Sequence, residues 1–361
     1  MTTLQIENSP VDADGRSLDD KLARLDEVLR GLGRVLIGYS GGVDSALLVV
    51  AAHRVLGNDA IAVTADSESY AEGELEQAAD IVRQFGVRHE VVKTRELDNP
   101  DYASNPVNRC YFCKTELFVH MEELATELQI DNMLYGHNVD DVGDFRPGAT
   151  AAREHGVRAP LQEAGFTKAD VRELAKRWDI PVWNRPAMAC LSSRFPYGTP
   201  VTSEGLRRVD RAEKIVRALG FGSDIRVRHH DDVARIELPA ADLERLLSDA
   251  DLRNQLATAL ADLEYQRVTA DLRGFRSGSL NEVLKKDSCE SATSTIETLT
   301  DATARLGMGL TVSGEAQQIT WIQLNSAGAN LLANEAARSD LVAAAEAGGA
   351  RYVALDLAPL D

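Results

Sequence analysis

The sequence predicts an α/β fold: a parallel sheet with helices on both faces, then a small α+β domain and an appended C-terminal α+β module. Short apolar runs alternate with helical patterns through the first half of the chain, which is typical of a parallel sheet covered by helices. The alternation stops near Asn184-Arg185-Pro186, where a loop rich in Pro, Gly and Ser begins. The composition changes again from Asp287, because residues 287–361 contain ten acidic residues, three Arg and no Lys.

The first half opens with an amphipathic helix, since Leu18, Leu22, Leu25 and Leu29 fall on one helical face. A strand–helix unit then repeats. The apolar run at 35–37 predicts a buried strand, and further strands are predicted at 61–64, 89–92 and 133–135. Helices are predicted over 46–52, 73–85, 114–128 and 167–178, the last with Thr167 as its N-cap.

The second half has a different order of elements. A helix is predicted over 203–219, two alternating strands over 225–229 and 233–238, helical stretches over 242–263 and a strand over 265–272. Residues 288–300 are rich in Ser and Thr and indicate a linker. Beyond it, a strand is predicted at 319–324, one Ala-rich helix at 327–347 and a final strand at 352–357.

These patterns divide the 361 residues into four parts. Residues 1–17 are predicted to be a disordered lead, and 18–186 form the parallel-sheet domain. Residues 187–286 form the small α+β domain, for which we expect a role in substrate binding or oligomerisation. Residues 287–361 combine a linker with a small module whose role the sequence leaves open.

The charge balance excludes several classes of function. With 39 basic and 57 acidic residues, the formal net charge is −18, which argues against general nucleic-acid binding. No apolar stretch of about 20 residues occurs, so no membrane span is expected. The polar, acidic N-terminus lacks the features of a secretion signal, and we expect a cytoplasmic protein.

The strongest motif is Ser-Gly-Gly-Val-Asp-Ser at 40–45, directly after a predicted strand and at the start of a helix. Two glycines let the backbone approach an anion, and N–H groups at a helix N-terminus bind phosphate oxygens. The loop has no Lys, so it differs from the Walker loop. The candidate phosphate-binding residues are Ser40, Gly41, Gly42, Asp44 and Ser45.

A second motif, Gly-His-Asn-Val-Asp-Asp at 136–141, follows the fourth predicted strand. Ligands of open parallel sheets bind beyond the carboxyl ends of the strands, which makes Asn138 a candidate nucleotide-binding residue. The adjacent carboxylates of Asp140 and Asp141 suit Mg²⁺, which is usually bound through one or two carboxylates and substrate phosphate.

The chain has four cysteines, and a disulfide framework is not expected in a large cytoplasmic protein. Cys110 and Cys113 form a Cys-x-x-Cys pair, which fits a redox pair, half of a zinc site or half of an iron–sulfur site. Cys190 lies in a loop of the kind that often carries function. Cys289 lies in the polar linker and has no predicted role.

The 40–45 motif resembles the signature of the PP-loop ATP pyrophosphatases. The resemblance implies an enzyme that cleaves ATP between its α and β phosphates and transfers AMP to an acceptor oxygen. It also implies that the loop holds pyrophosphate and that the 65–67 segment, with Ala65 and Ser67, lies beside the nucleotide.

A narrower resemblance is to the LarE-type ATP-dependent sacrificial sulfur transferases. It rests on seven segments, at 40–45, 108–114, 136–141, 144–148, 160–165, 190–198 and 274–282, and covers about residues 18–286. The resemblance implies adenylation of a carboxylate of pyridinium-3,5-biscarboxylic acid mononucleotide and its conversion into a thiocarboxylate. This is a step toward the nickel-pincer nucleotide cofactor.

The resemblance implies two sulfur sources. In one, Cys190 attacks the acyl-adenylate and loses its sulfur, becoming dehydroalanine. In the other, Cys110, Cys113 and Cys190 hold a [4Fe–4S] cluster, and the iron without a protein ligand carries an extra sulfide. The three-cysteine pattern favours the cluster, and Cys190 is the predicted catalytic residue in both cases.

The predicted substrate-binding residues lie in the small α+β domain. Arg226 and Arg228 share one face of a strand and suit a phosphate or carboxylate, and Glu237 on the next strand could orient one of them. The family resemblance implies that Ser193 and Arg194 face the adenylated carboxylate. Glu213, on the first helix of this domain, is a weaker candidate, since surface helices often carry acids.

Three other functions stay open on the sequence alone. They are an ammonia-using amide ligase of the NAD- or GMP-synthetase kind, a tRNA thiolase, and a non-catalytic nucleotide sensor with a zinc knuckle. The three cysteines at 110, 113 and 190 argue against the ligase, and the net charge argues against the thiolase. The expected partner is a small mononucleotide, with no nucleic acid or membrane, and the resemblance implies a homo-oligomer.

Overall fold

The computed structural model describes residues 15–142, 147–186, 189–284, 292–308, 310–316 and 319–358. The chain divides into two compact units, Met1–Cys190 and Leu191–Asp361. Most of the predicted lead, part of the 144–148 segment, Cys289 and the start of the predicted linker lie outside the described residues. No helix in the described ranges is long and apolar enough to cross a membrane.

The first unit contains a four-stranded parallel sheet. Its strands are β1 (Val35–Gly38), β2 (Ala60–Asp66), β3 (Arg88–Lys93) and β4 (Asn132–Tyr135), in the order β3-β2-β1-β4. Its helices are α1 (Leu18–Leu32), α2 (Val43–Leu56), α3 (Glu74–Gln84), α4 (Pro100–Ala103), α5 (Arg109–Leu128), α6 (Pro147–Glu154), α7 (Pro160–Glu163) and α8 (Lys168–Arg177). The predicted fold class of this region is confirmed.

Apolar layers cover both faces of this sheet. One cluster joins α1, α2, α3 and α8 to the sheet, and α2 is buried along 45–52 because it is apolar nearly all round. The other cluster packs Leu117, Phe118 and Met121 of α5 and two alanines of α6 against the opposite face. The strand ends that carry the predicted motifs are therefore held between two packed layers.

Helix α5 begins at Arg109, five residues before the predicted start at 114. The predicted start was wrong, because it left the Cys-x-x-Cys pair outside the helix. The backbone N–H of Arg109 donates to the Pro106 carbonyl, and this turn starts the helix upstream of both cysteines. Cys110 and Cys113 are therefore three residues apart on the first turns of a helix, where such residues share a face.

The second unit contains a six-stranded mixed sheet in the order β5-β6-β7-β10-β9-β8. The strands are β5 (Arg226–His230), β6 (Val233–Glu237), β7 (Arg267–Asp271), β8 (Leu310–Ala316), β9 (Ile319–Leu324) and β10 (Tyr352–Asp356). The helices are α9 (Ser203–Ala218), α10 (Ala240–Ser248), α11 (Ala250–Ala261), α12 (Ala292–Arg305), α13 (Ser326–Leu331) and α14 (Glu335–Ala347). One large apolar core joins the sheet to these helices.

The end of the chain differs from its prediction in three places. Residues 292–300, predicted as linker, are the first part of α12, because burial of Leu299 and Ala302 outweighs the weak helix propensity of Ser and Thr. The single helix predicted over 327–347 is two helices, since Asn334 caps a new start by accepting from the N–H of Ala337. Strand β8 was not predicted.

The composition change at 287 does not separate two sheets. Strand β10, which follows it, pairs antiparallel with β7, which precedes it, with Ala354 opposite Asp271. Strands on both sides of the change therefore share one sheet and one core.

Candidate active site

The phosphate-loop motif lies where β1 ends and α2 begins. Gly42 is the N-cap of α2 in extended conformation, and among the described residues no side chain caps that N-terminus. The first N–H groups of an α-helix lack partners within the helix, and the macrodipole adds partial positive charge there. This end of α2 is therefore suited to an anion.

The loop is held in shape by its own hydroxyls. The Ser40 and Ser45 Oγ atoms lie 3.2 Å apart, and Ser45 Oγ donates to the Gly42 carbonyl at 3.0 Å. Gly41 has φ of +74°, which favours glycine, and a Cβ there would lie 3.1 Å from the Ala78 Cβ. The structure thus brings Ser40, Gly41, Gly42 and Ser45 together as the motif predicted.

Gly136, at the end of β4, packs directly against the loop. A Cβ at this position would lie 2.6 Å from the Ser45 nitrogen and 2.7 Å from its Cα. Only glycine therefore allows the second predicted motif to approach the first, and this contact joins the ends of β1 and β4.

Asp44, Asn138 and Lys168 form one polar group beside the loop. The Asn138 side-chain amide donates to Asp44 Oδ1 at 2.8 Å, and the Lys168 ammonium pairs with the other Asp44 oxygen. Asp44 and Asn138 were predicted from the sequence, but Lys168 was not. Nothing in the sequence around the start of α8 indicates that this lysine contacts Asp44. Lys168 supplies a cation that the motif itself lacks.

Asp140 and Asp141 are both engaged by backbone N–H groups. Asp140 Oδ2 accepts from the Lys168 N–H at 2.7 Å, and Asp141 Oδ2 accepts from the Asn138 N–H at 3.1 Å. These bonds fix the 138–141 turn, and magnesium binding by either carboxylate stays a prediction.

A cavity of about 490 Å³ opens at the ends of β2 and β3. Its lining includes Ser67, one of the predicted nucleotide-binding residues, and Thr94. Ser67 Oγ lies 2.8 Å from Ser69 Oγ, which orders the turn after β2. Ala65, the other predicted residue of this segment, is buried near the end of β2.

The three cysteines interact electrostatically within the first unit. The Cys110 side chain reaches the surface, yet the protein packed around it raises the pKa of its thiol, and the charge of Cys190 raises it further. Burial also raises the pKa of the Cys113 thiol, followed by the charges of Glu96 and Cys190. The charge of Cys190 thus acts on both thiols of the Cys-x-x-Cys pair.

Two residues beside the cysteines were not predicted. The Cys113 Sγ lies 3.7 Å from Glu96 Oε1, and Glu96 is buried. Burial raises the pKa of the Tyr70 phenol, and the charges of Cys113, Cys190 and Glu96 raise it further. Neither residue belongs to a sequence motif, so only the tertiary structure reveals them.

The cysteines offer the thiol donors that iron–sulfur clusters use. However, within the ranges that the structure describes, no three His, Cys, Asp or Glu side chains are arranged to hold a metal ion. The cluster therefore stays a prediction.

The predicted basic residues lie in the second unit. Arg228 is buried and donates to the Ser193 carbonyl at 2.8 Å and to Glu237 Oε2 at 2.7 Å. Arg226, on the same face of β5, is half-buried, with its guanidinium 5.0 Å from the Phe275 ring centre. Burial, followed by the charge of Arg194, lowers the pKa of Arg226 to about 10, so it stays charged at neutral pH.

Glu213 is buried at 2% exposure, so it is not a surface acid of α9. Its two oxygens accept from Arg194 at 2.8 and 3.1 Å, and Arg217 donates to it at 2.8 Å. Burial alone would raise the pKa of Glu213, but the hydrogen bond and charge of Arg194 bring it below its usual value. Glu213 therefore orients Arg194.

The sequence also missed the partners of Glu237. Glu237 lies 3.0 Å from Arg235 and accepts from Ser279 Oγ at 3.1 Å, and Arg235 pairs with Asp271. Arg235 is completely buried, and an arginine in a short alternating strand gives no sign of this in the sequence.

The chain is similar to several known proteins. A family model described as "Asparagine synthase" matches residues 27–109. An uncharacterised protein of Synechocystis is 45% identical over 269 residues, covering 74% of this chain and all of the relative. The pyridinium-3,5-bisthiocarboxylic acid mononucleotide synthase of Lactiplantibacillus plantarum is 38% identical over 271 residues, covering 75% of this chain and 97% of the synthase. A GMP synthase of Aeropyrum pernix is 28% identical over 52% of this chain and 40% of its own length.

The parallel sheet, the open helix N-terminus and the Ser-Gly-Gly-Val-Asp-Ser loop define an ATP-using enzyme of the PP-loop class. The near full-length match to the synthase narrows this class. The chain belongs to the LarE-type family of ATP-dependent sulfur transferases.

Proposed function

We propose that this chain inserts sulfur into pyridinium-3,5-biscarboxylic acid mononucleotide at the expense of ATP, during synthesis of the nickel-pincer nucleotide. The observation that carries the proposal is the 38% identity over 97% of the Lactiplantibacillus synthase, whose name states its product. The phosphate loop supports the use of ATP, and the three cysteines support the transfer of sulfur.

The first step is adenylation of a substrate carboxylate. A carboxylate oxygen attacks the α-phosphorus of ATP, and the bond from that phosphorus to the bridging oxygen of pyrophosphate breaks. Ser40, Ser45 and the N-terminus of α2 stabilise the negative charge of the departing pyrophosphate. Lys168, paired with Asp44, adds positive charge beside the loop.

The second step delivers sulfur. The Cys190 thiolate attacks the acyl-adenylate and releases AMP, which leaves a thioester. Loss of the Cys190 α-proton and cleavage of its Cβ–S bond then give the thiocarboxylate and dehydroalanine. A [4Fe–4S] cluster held by Cys110, Cys113 and Cys190 is the source that the three-cysteine pattern favours, and it would instead supply a sulfide that can be replaced after each turnover.

The substrate side of the reaction is assigned to the second unit. Arg226 and Arg228 bind the acidic groups of the mononucleotide, because guanidinium forks match carboxylate and phosphate geometry. Ser193 and Arg194 contact the carboxylate to be adenylated, and Glu237 and Glu213 orient Arg228 and Arg194. Mg²⁺ binding at Asp140 or Asp141, a homo-oligomer and a cytoplasmic location are further parts of the proposal.

The test replaces Cys190 with Ala and uses Cys289→Ala as the matched control. Cys190→Ala is expected to form no thiocarboxylate with ATP and the mononucleotide, while Cys289→Ala keeps the wild-type rate. Thiocarboxylate made by Cys190→Ala at the normal rate would refute the proposal.

The sulfur source is decided on the wild-type protein purified without oxygen. Iron and acid-labile sulfide in the protein, with an unchanged mass after turnover, support the cluster. Colourless protein that loses the mass of hydrogen sulfide at Cys190 on turnover supports the sacrificial route.

An ammonia-using amide ligase is the second candidate, favoured by the similarity to GMP synthases. It predicts ATP consumption that requires ammonia and persists in Cys190→Ser. The sulfur-transfer proposal predicts no stimulation by ammonia in either protein.

A further inference from the structure

One face of the six-stranded sheet carries buried charges. Directly opposed residues on neighbouring strands share a face, and the register pairs Arg226 with Glu237 and Arg228 with Arg235. Successive side chains along a strand point to opposite faces of the sheet, so residues two apart share a face. The pairing of Ala354 with Asp271 therefore brings Tyr352, two residues before Ala354, onto this same face.

The charges on this face form a continuous chain of ion pairs. Arg228 pairs with Glu237 at 2.7 Å, Glu237 with Arg235 at 3.0 Å, and Arg235 with Asp271. Arg235 and Glu237 are completely buried. Because buried charges depend on well-placed partners, the position of Arg228 depends on that of Arg235.

Tyr352 covers the flat side of Arg235. The guanidinium carbon of Arg235 lies 3.9 Å from the centre of the Tyr352 ring, and Tyr352 is only 3% exposed. Among the described residues, the Tyr352 hydroxyl has no hydrogen-bond partner. The ring, rather than the hydroxyl, is thus the group that acts on Arg235, and a cation over an aromatic face is a favourable contact.

We propose that Tyr352 is a positioning residue for substrate binding. Its ring holds Arg235 against Glu237, and Glu237 in turn holds Arg228 in the orientation that receives an acidic group of the mononucleotide. Tyr352 belongs to β10, beyond the end of the family-like segments at about 286. This inference rests on the proposed function and assigns the C-terminal strands a part in building the substrate site.

The test measures the Kd of the full-length protein for the mononucleotide and for ATP by calorimetry. Tyr352→Leu is expected to raise the Kd for the mononucleotide by about tenfold, since a desolvated cation–π contact contributes about that factor, and to leave the Kd for ATP unchanged. Tyr352→Phe keeps the ring and should bind as the wild type does.

Trp321→Leu is the matched control. The Trp321 ring lies 3.7 Å from the guanidinium carbon of Arg267, and Arg267 pairs with Asp356 rather than with the Glu237 group. Loss of this second cation–π contact is expected to lower the melting temperature without changing the Kd for the mononucleotide. A merely structural role of Tyr352 would give the two leucine variants the same binding profile.

Each outcome decides between the two proposals. Equal Kd values for the mononucleotide in the wild type, Tyr352→Leu and Trp321→Leu overturn the positioning role. A wild-type protein that does not bind the mononucleotide overturns the proposed function instead. Should Tyr352→Leu fail to fold, Arg235→Lys takes its place, because lysine keeps the charge but lacks the planar fork, and an unchanged Kd there refutes the inference.

Discussion

Gly136 shows how a single residue without a functional group determines the shape of the site. A Cβ at position 136 would lie within 2.9 Å of three backbone atoms of Asp44 and Ser45, and backbone cannot move aside as a side chain can. We therefore expect Gly136→Ala to displace the phosphate loop and to raise the KM for ATP by tenfold or more. The destabilisation should be about 1–3 kcal/mol, as for other overpacked sites, measured by urea unfolding.

Gly31→Ala is the control for this substitution. Gly31 lies within α1, and a Cβ there meets nothing within 4 Å. Alanine should stabilise this helix by about 0.5–1 kcal/mol and leave the KM for ATP unchanged. Wild-type kinetics in Gly136→Ala would show that the loop tolerates the displacement.

Lys168 provides a second test at the residue scale. Its ammonium pairs with Asp44, and its backbone N–H donates to Asp140. Lys168→Met removes only the charge, so we expect a KM for ATP about tenfold higher and an unchanged Kd for the mononucleotide. Lys176→Met, on the same helix but stacked on Trp183, is the control and should keep normal kinetics. An unaltered KM in Lys168→Met would remove Lys168 from the ATP site.

At the residue scale, the sequence alone singled out groups with a characteristic spacing, and their roles stay predictions. The 40–45 motif and the cysteines at 110, 113 and 190 were identified because their spacing is characteristic. Lys168, Glu96 and Arg235 were missed because each acquires its role from a partner far away in the chain. Asp44, Cys113 and Asp271 lie 124, 17 and 36 residues from them, respectively.

Among the elements, α1 and α8 are joined by a part-buried ion pair. Lys21, only 2% exposed, lies 2.7 Å from Asp170, which also completes the capping box of α8 with Thr167. Asp170→Asn leaves a buried ammonium without its counter-charge, but Asp170 itself is partly exposed, so we expect a loss of about 2 kcal/mol in the free energy of unfolding. Asp80→Asn, which breaks the exposed pair with Arg83, should cost less than about 1 kcal/mol.

The same pair gives a pH dependence. Burial acts to raise the pKa of Asp170, but the hydrogen bonds from Lys21 and Thr167 outweigh it, and the folded pKa lies below its usual value. A depressed pKa contributes stability that is full above the unfolded pKa, about 3.9, and is lost as the pH falls through the folded value. Melting temperatures between pH 3 and 6 should therefore fall less steeply for Asp170→Asn than for the wild type. Parallel curves would contradict this assignment.

Element boundaries were predictable where local pattern and burial agree, as in α1, α3 and α8. The boundaries were not predictable where tertiary contacts determine whether a segment is helical. The Ser- and Thr-rich start of α12 becomes helical because Leu299 and Ala302 join the core of the second unit, and no local signal reports a partner so distant in the sequence.

For the molecule as a whole, composition predicted a separate module after residue 287. In the structure, the strands after residue 287 belong to the same sheet as β5, β6 and β7. The core of the second unit includes Leu299, Ile322, Leu341 and Val353 from that region. Composition depends on exposed residues as much as on core residues. A segment can therefore have a more acidic surface than the segment before it and still pack into the same core.

This integration predicts the effect of removing residues 287–361. Truncation would leave β7 without its partner β10 and would expose the apolar side chains that α12 and α14 now cover. An unpaired edge next to an apolar face promotes association between chains. We expect the 1–286 protein to be aggregated or to unfold at a much lower temperature than the full chain, as judged by size-exclusion chromatography and thermal melting. A monodisperse 1–286 protein with the melting temperature and mononucleotide Kd of the full chain would instead show that the last 75 residues form an independent module, and would also remove the role assigned to Tyr352.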